Sequence, residues 1–218
     1  MHWSHFVALP SVVLALTVGC TDPNHGPTAP AAAPSLSSAA KGQAPDSPGR
    51  GELGPAVLAE LAEIRRVTAR YHDLDAARAA GYTVWSPNPF AANATCPSSP
   101  LGNMGYHLVN VALRGGTASP AAGDAVIDLL RPEMLLYEKR PDGQMHLVGV
   151  EYLVFTAAWE RVHGAGAAPP NVLGQPLPAS SHTFPGNVNP ISHYELHVWA
   201  WTNNPLGMFA PWNPTVTC

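Results

Sequence analysis

Three ionisable side chains stand in the middle of apolar segments of this sequence. His107 lies in Met104-Gly-Tyr-His-Leu-Val, Glu151 in Val148-Gly-Val-Glu-Tyr, and His197 in Glu195-Leu-His-Val-Trp. Charge placed among apolar side chains is expensive unless it is paired or ligated. Two imidazoles and one carboxylate suit a divalent transition metal (zinc, iron or copper) and leave a coordination position open. The sequence has no H-E-x-x-H and no paired C-x-x-C, so this pattern rests on residue type and strand parity alone. A second reading of the same residues makes His107 and His197 core histidines, bonded to backbone or to Glu151.

Residues 193–201 carry further chemistry. Read as a strand, they put His193, Glu195, His197, Trp199 and Trp201 on one face and Leu196, Val198 and Ala200 on the other. Glu195, Trp199 and Trp201 are then candidates to bind a flat ligand by stacking, although tryptophan also serves as a large core filler. His193 and His197 stand about 13 Å apart on a straight strand, so at most one of them joins a given metal shell. Nucleophile signatures are missing: there is no G-x-S-x-G, and Ser180-Ser181-His182 reads as loop. Phosphate-loop and dinucleotide-binding glycine patterns are absent too.

These side chains need elements to hold them. Pro55 suits a first helical position, and Val57, Leu58, Leu61, Ile64, Val67 and Tyr71 recur at helical spacing. Asp73 can cap a second short helix that Gly81 ends. Strands are expected over 104–113, 133–139, 145–155 and 192–202. Asp142-Gly143 between two apolar runs signals a two-residue hairpin turn, which sets Glu138 opposite Leu147 and Glu151 opposite Met134. Segments 82–101 and 156–190 read mostly as loop. The proline-rich stretch 203–214 is expected to cover a sheet edge. Helices first and strands after, without alternation, give an α+β class: two N-terminal helices packed on a mainly antiparallel sheet, spanning 52–218.

The remainder of the chain speaks of export. Residues 1–19 form an apolar leader too short for a permanent membrane span. Gly19-Cys20 resembles a bacterial lipobox, in which Cys20 is acylated and anchors the chain to a membrane; an ordinary cleaved leader with Cys20 incidental is the other reading. Residues 20–51 are rich in Pro, Ala, Gly and Ser and read as a disordered tether. Cys96 and Cys218 remain, and in an oxidising compartment two thiols most simply pair with each other. The chain carries 11 Lys and Arg against 15 Asp and Glu, with no basic run, which excludes an electrostatic nucleic-acid surface. The expected place is extracytoplasmic, lipid-anchored or secreted, with the ligand or protein partner unspecified.

A set of segments also resembles a family of uncharacterised secreted bacterial proteins, over about residues 65 to 218. It comprises Ala69-Arg-Tyr-His-Asp-Leu with Ala80-Gly-Tyr82, Met104-Gly-Tyr-His-Leu-Val-Asn110, Leu135-Leu-Tyr-Glu138 and Leu147-Val-Gly-Val-Glu-Tyr152. Leu196-His-Val-Trp, Asn204-Pro-Leu-Gly-Met-Phe, Trp212-Asn-Pro and Cys218 complete it. At His107, Val148 to Tyr152 and His197 to Trp199 the chain is similar, more loosely, to plant oil-body-associated proteins. These resemblances imply that the segments form one domain and imply no reaction or ligand.

Overall fold

The computed structural model describes residues 53–116, 123–184 and 187–218. The expected leader, Cys20 and the tether lie outside the described residues.

Helix α1 (Pro55–Thr68) begins with its proline in the first turn, where the missing N–H costs nothing. A 3-10 turn (Ala69–His72) leads into α2 (Leu74–Ala79), whose first turn is capped by the Asp73 carboxylate accepting from the Asp75 N–H. The strands that follow are β1 (Val84–Ser86), β2 (Ser98–Ser99), β3 (Gly102–Asn103), β4 (Tyr106–Val109), β5 (Met134–Lys139) and β6 (Met145–Phe155). After α3 (Thr156–His163) come β7 (Asn171–Val172), β8 (Gln175–Pro176), β9 (Ala179–His182) and β10 (Ile191–Val198). Six strands form one sheet in the order β1-β4-β5-β6-β10-β9, antiparallel at every pairing. The class is thus α+β with an antiparallel sheet, as the element order implies.

The two faces of the sheet differ in character. One face buries Leu108, Leu135, Tyr137, Leu147, Val150, Tyr152, Leu196 and Val198 together with Leu61 and Ile64 of α1 and with Tyr71, Ala77 and Tyr82. Buried tyrosines there still find acceptors: Tyr82 donates to Pro132 O, Tyr137 to Tyr71 O and Tyr152 to Leu129 O. Each hydroxyl therefore pins a connecting segment to the sheet while its ring fills the core. The opposite face carries two smaller apolar clusters. Val109, Met134, Leu153, Phe155, Ala158 and Phe184 form one, and Leu136, Val148, Trp199 and Val216 form the other.

The β5–β6 hairpin corrects the expected register near its turn. Arg140 N–H bonds Gln144 O and Gly143 N–H bonds Arg140 O, so the loop has three residues, with Gly143 in the left-handed region at φ +81°. Glu138 consequently faces His146, not Leu147. An irregularity next to Leu136 leaves Val148 as an extra residue on β6, and beyond it Glu151 pairs with Met134 as expected. Gly149 is needed beside this bulge, because a Cβ there would sit 2.7 Å from Val198 O and 3.2 Å from Leu136 Cδ1.

The chain after β10 folds back over the sheet. Trp199 N–H bonds Met208 O, Asn103 and Asn213 exchange backbone hydrogen bonds, and Val216 packs against Leu136, Val148 and Trp199. This tail therefore covers part of a face, not an edge; the edge strands are β1 and β9. Cys96 and Cys218 form a disulfide with Cα atoms 5.5 Å apart and a sequence separation of 122. A cross-link closing so long a loop restricts the unfolded chain strongly. We predict that Cys96→Ser lowers the unfolding free energy by about 4 kcal/mol in guanidinium denaturation at equilibrium; an unchanged midpoint would show that the bridge contributes nothing.

Candidate functional site

His107, Glu151 and His197 lie on the face away from α1 and come from three strands, β4, β6 and β10. Glu151 and His197 are direct cross-strand partners. His107 is not on a neighbouring strand: β5 stands between, so its ring must reach across two strand spacings, about 10 Å of sheet. It does so from the side opposite His197. His107 Nε2 lies 3.1 Å from Glu151 Oε2 and 3.3 Å from His197 Nε2, and His197 Nε2 lies 3.7 Å from Glu151 Oε2. Ligands on a tetrahedral zinc at ~2.05 Å are ~3.3 Å from one another, so these three atoms already have the spacing of one ion's shell.

Burial makes the arrangement consequential. His107, Glu151 and His197 are 8%, 1% and 3% exposed. Glu151 Oε2 is buried and has no aligned hydrogen-bond partner among the described residues. Burial works against a charged His107 ring, but it is outweighed by the Glu151 carboxylate, by the more distant Glu195 and by hydrogen bonding to the Ser86 backbone, so its pKa is raised. The His197 pKa is lowered by burial and by the charge on His107, which Glu151 only partly offsets. The surroundings thus push the two rings in opposite directions, His107 toward its protonated form and His197 toward its neutral one.

A second group lies on the same side of the sheet, on β9 and β10. His193 donates from Nδ1 to Ile191 O at 2.7 Å, and its Nε2 lies 3.1 Å from Glu195 Oε2. His182 is stacked edge-on against His193, with ring centroids 4.3 Å apart. Burial disfavours the Glu195 carboxylate, yet its hydrogen bond to His193 and the charges of His197, His193 and His182 hold its pKa well below the usual range. The His182 pKa is lowered by burial and by the neighbouring His193.

The first group, and His182 and Glu195 of the second, border one cavity of about 420 Å³, with His193 buried behind its wall. Its polar wall includes His107, Glu151, His197, Glu195, His182 and Ser181; its apolar wall includes Met104, Val109, Met134, Phe184, Pro87 and Trp212. The disulfide steadies one rim: Cys96 precedes Pro97, whose carbonyl accepts from Met104 N–H, and both residues line the cavity.

Of the expected ligand-binding residues, Glu195 faces this cavity, whereas Trp199 and Trp201 do not. Trp199 keeps the face of His197, beside Leu136 and Val148, and the alternation fails only at Trp201, beyond the end of the strand at Val198. Trp199 is fully buried under the tail and donates to Ala210 O, while Trp201 packs on the helical side and donates to Thr68 Oγ1. The tryptophan at the cavity is Trp212. His182 was read as loop because Ala179–His182 has no apolar alternation; it is an edge strand recruited by pairing with β10. His193 was set aside as too far from His197, and it belongs to the other group instead.

No protein-family model, curated protein or solved structure matches this chain.

Glu133 lies behind the site. It is buried, accepts from Leu153 N–H at 3.0 Å, and has its pKa raised well above the usual value by burial, with Asp124 and Glu151 adding like charge. A raised carboxyl pKa means that the fold binds this proton more tightly than the unfolded chain. Its stabilising effect is complete below the unfolded pKa and is lost as pH rises toward the folded one. Glu133→Gln keeps the acceptor and removes the charge. We predict a Tm gain of about 2–6 °C at pH 8 that shrinks toward pH 4.5 in calorimetric scans; an equal Tm at both pH values would refute this electrostatic account.

Proposed function

We propose that this chain is an extracytoplasmic metal-binding domain, tethered by a lipid on Cys20, whose ion is held by His107 Nε2, Glu151 Oε2 and His197 Nε2. The observation that carries the reading is the convergence of these three atoms, 3.1 to 3.7 Å apart, in a buried pocket. A cation there replaces the proton on His107 and gives Glu151 Oε2 the partner it lacks. Two histidines and a carboxylate fit zinc, iron or copper and leave a position open toward the cavity. An ion with such a position can polarise a bound water or substrate oxygen, the property on which an enzymatic role would rest.

The placement outside the cytoplasm is supported by the Cys96–Cys218 disulfide, since such bridges persist in oxidising compartments. No helix among the described residues is long and apolar enough to cross a membrane. The segments shared with the secreted bacterial family, and more loosely with the oil-body-associated proteins, include all three proposed ligands. Membership in either family is part of this proposal.

A second reading, a module that binds a small ligand without catalysis, is favoured by the apolar wall of the cavity. Met104, Val109, Met134, Phe184 and Trp212 would contact the ligand there, in place of a stripe formed by Trp199 and Trp201.

The metal reading is tested by elemental analysis of protein purified without chelator or affinity tag. His197→Ala and Glu151→Gln should each contain one equivalent less than wild type and bind added zinc at that site more than ~100-fold more weakly. Equal metal content in wild type and His197→Ala would overturn the site.

Because the ion displaces the proton on His107, binding should release a proton. Affinity should decline as pH falls through the raised His107 pKa, thus beginning above the ordinary histidine value of about 6.5. Titration calorimetry in buffers of different ionisation enthalpy measures that proton, and a pH-independent affinity from pH 8 to 6 would contradict the role given to His107.

A further inference from the structure

We infer that the same cavity holds a second site for a divalent transition metal, formed by His182, His193 and Glu195. Its ligands share no residue with the first, so it stands or falls independently of the reading given above.

The inference begins with protons. His193 Nδ1 lies 2.7 Å from Ile191 O. A carbonyl can only accept, so Nδ1 carries the hydrogen and Nε2 is the ring nitrogen left to take a proton or a metal ion. A metal-ligating histidine is commonly held in just this way, with its other nitrogen donating to backbone. Nε2 lies 3.1 Å from Glu195 Oε2, another lone-pair carrier. Two such atoms at that distance need a positive centre between them, either a proton or a metal ion.

A third ligand decides for the metal. One atom each from His182, His193 and Glu195 lies within 4.8 Å of the others. A proton bridges two atoms and has no use for a third nitrogen, whereas zinc or copper gains from each added imidazole. The His193–Glu195 edge already matches the ~3.3 Å between ligands on a tetrahedral ion. His182 is the ligand that must move to close the shell. It is exposed on the edge strand β9, with its ring resting against Phe184 and His193, while His193 is fully buried.

Zinc titration of metal-free full-length protein tests this, with stoichiometry as the readout. Wild type should take two equivalents, and His182→Ala, Glu195→Gln and His197→Ala one each. In the double variant His182→Ala/His197→Ala neither tight equivalent should remain. His182 is exposed, so its replacement does not threaten folding, and circular dichroism checks that. A control away from the cavity is His146→Ala, since His72 and His146 also approach each other, with ring centroids 5.6 Å apart; it should leave two equivalents. Cobalt(II) absorption should show two sets of d–d bands, one absent from His182→Ala and the other from His197→Ala.

One equivalent in wild type and none in His197→Ala would overturn the second site and leave the first intact. One equivalent in wild type, retained in His197→Ala and lost in His182→Ala, would support the second site while removing the first. A second equivalent lost in His146→Ala, or no binding at all, overturns the inference.

Discussion

A carboxylate sits near the middle of the sheet, and the geometry around it follows from the need to compensate it. Glu151 is 1% exposed on β6, the long strand flanked by β5 and β10. A lone carboxylate in that position would lose several kcal/mol of hydration with nothing to replace it. Imidazoles arriving from both sides supply the replacement, His197 from the adjoining strand and His107 from beyond β5. Register makes this possible. Side chains alternate between faces, so a one-residue slip of β6 would turn Glu151 among Leu135, Tyr152 and the apolar helix-facing layer. The bulge at Val148 and the close packing of Gly149 against Val198 O hold the strand against that slip.

The remaining layers make the polar centre both stable and dry. The helix-facing side supplies the large hydrophobic cluster, in which the hydroxyls of Tyr82, Tyr137 and Tyr152 donate to backbone carbonyls. On the site face, the apolar clusters around Phe155 and around Trp199 flank the ionisable residues. Excluding water in this way lowers the local dielectric, which strengthens each charge interaction and raises the penalty of leaving one unmet. The tail is part of the same device. Val216 seals the cluster around Trp199, and two residues later Cys218 is bonded to Cys96 at the cavity rim.

The sequence made the centre of this arrangement legible and left its periphery obscure. His107, Glu151 and His197 stood out because ionisable residues inside strongly apolar runs violate the expected pattern, and such violations mark places where a partner is required. The antiparallel class followed from helices preceding strands, and the Glu151–Met134 pairing from an Asp-Gly turn. That turn was read one residue too short; Val148, the extra residue on β6, restored the pairing, so a correct pair came from a partly incorrect path. Strands β1 and β9 were hidden because they are short and lack apolar alternation. Val84–Ser86 and Ala179–His182 are strands only because β4 and β10 present edges to pair with, a tertiary cause that local composition does not encode. His182 was lost with β9. Trp199 does share the face of His197 but is sealed under the tail, and the period of two fails at Trp201, past the end of the strand at Val198.

The two His/His/Glu groups have the same composition and different physics. In the first, all three residues are buried and their ligand atoms already stand at the separation one ion imposes, so little ordering remains to be done when a cation arrives. In the second, a buried His193 fixed by Ile191 O and a half-buried Glu195 are complemented by an exposed His182 whose side chain loses rotamer freedom on closing. On the proposed reading, preorganisation would make the first group the tighter holder of an ion, and the cost of ordering His182 would make the second the more exchangeable.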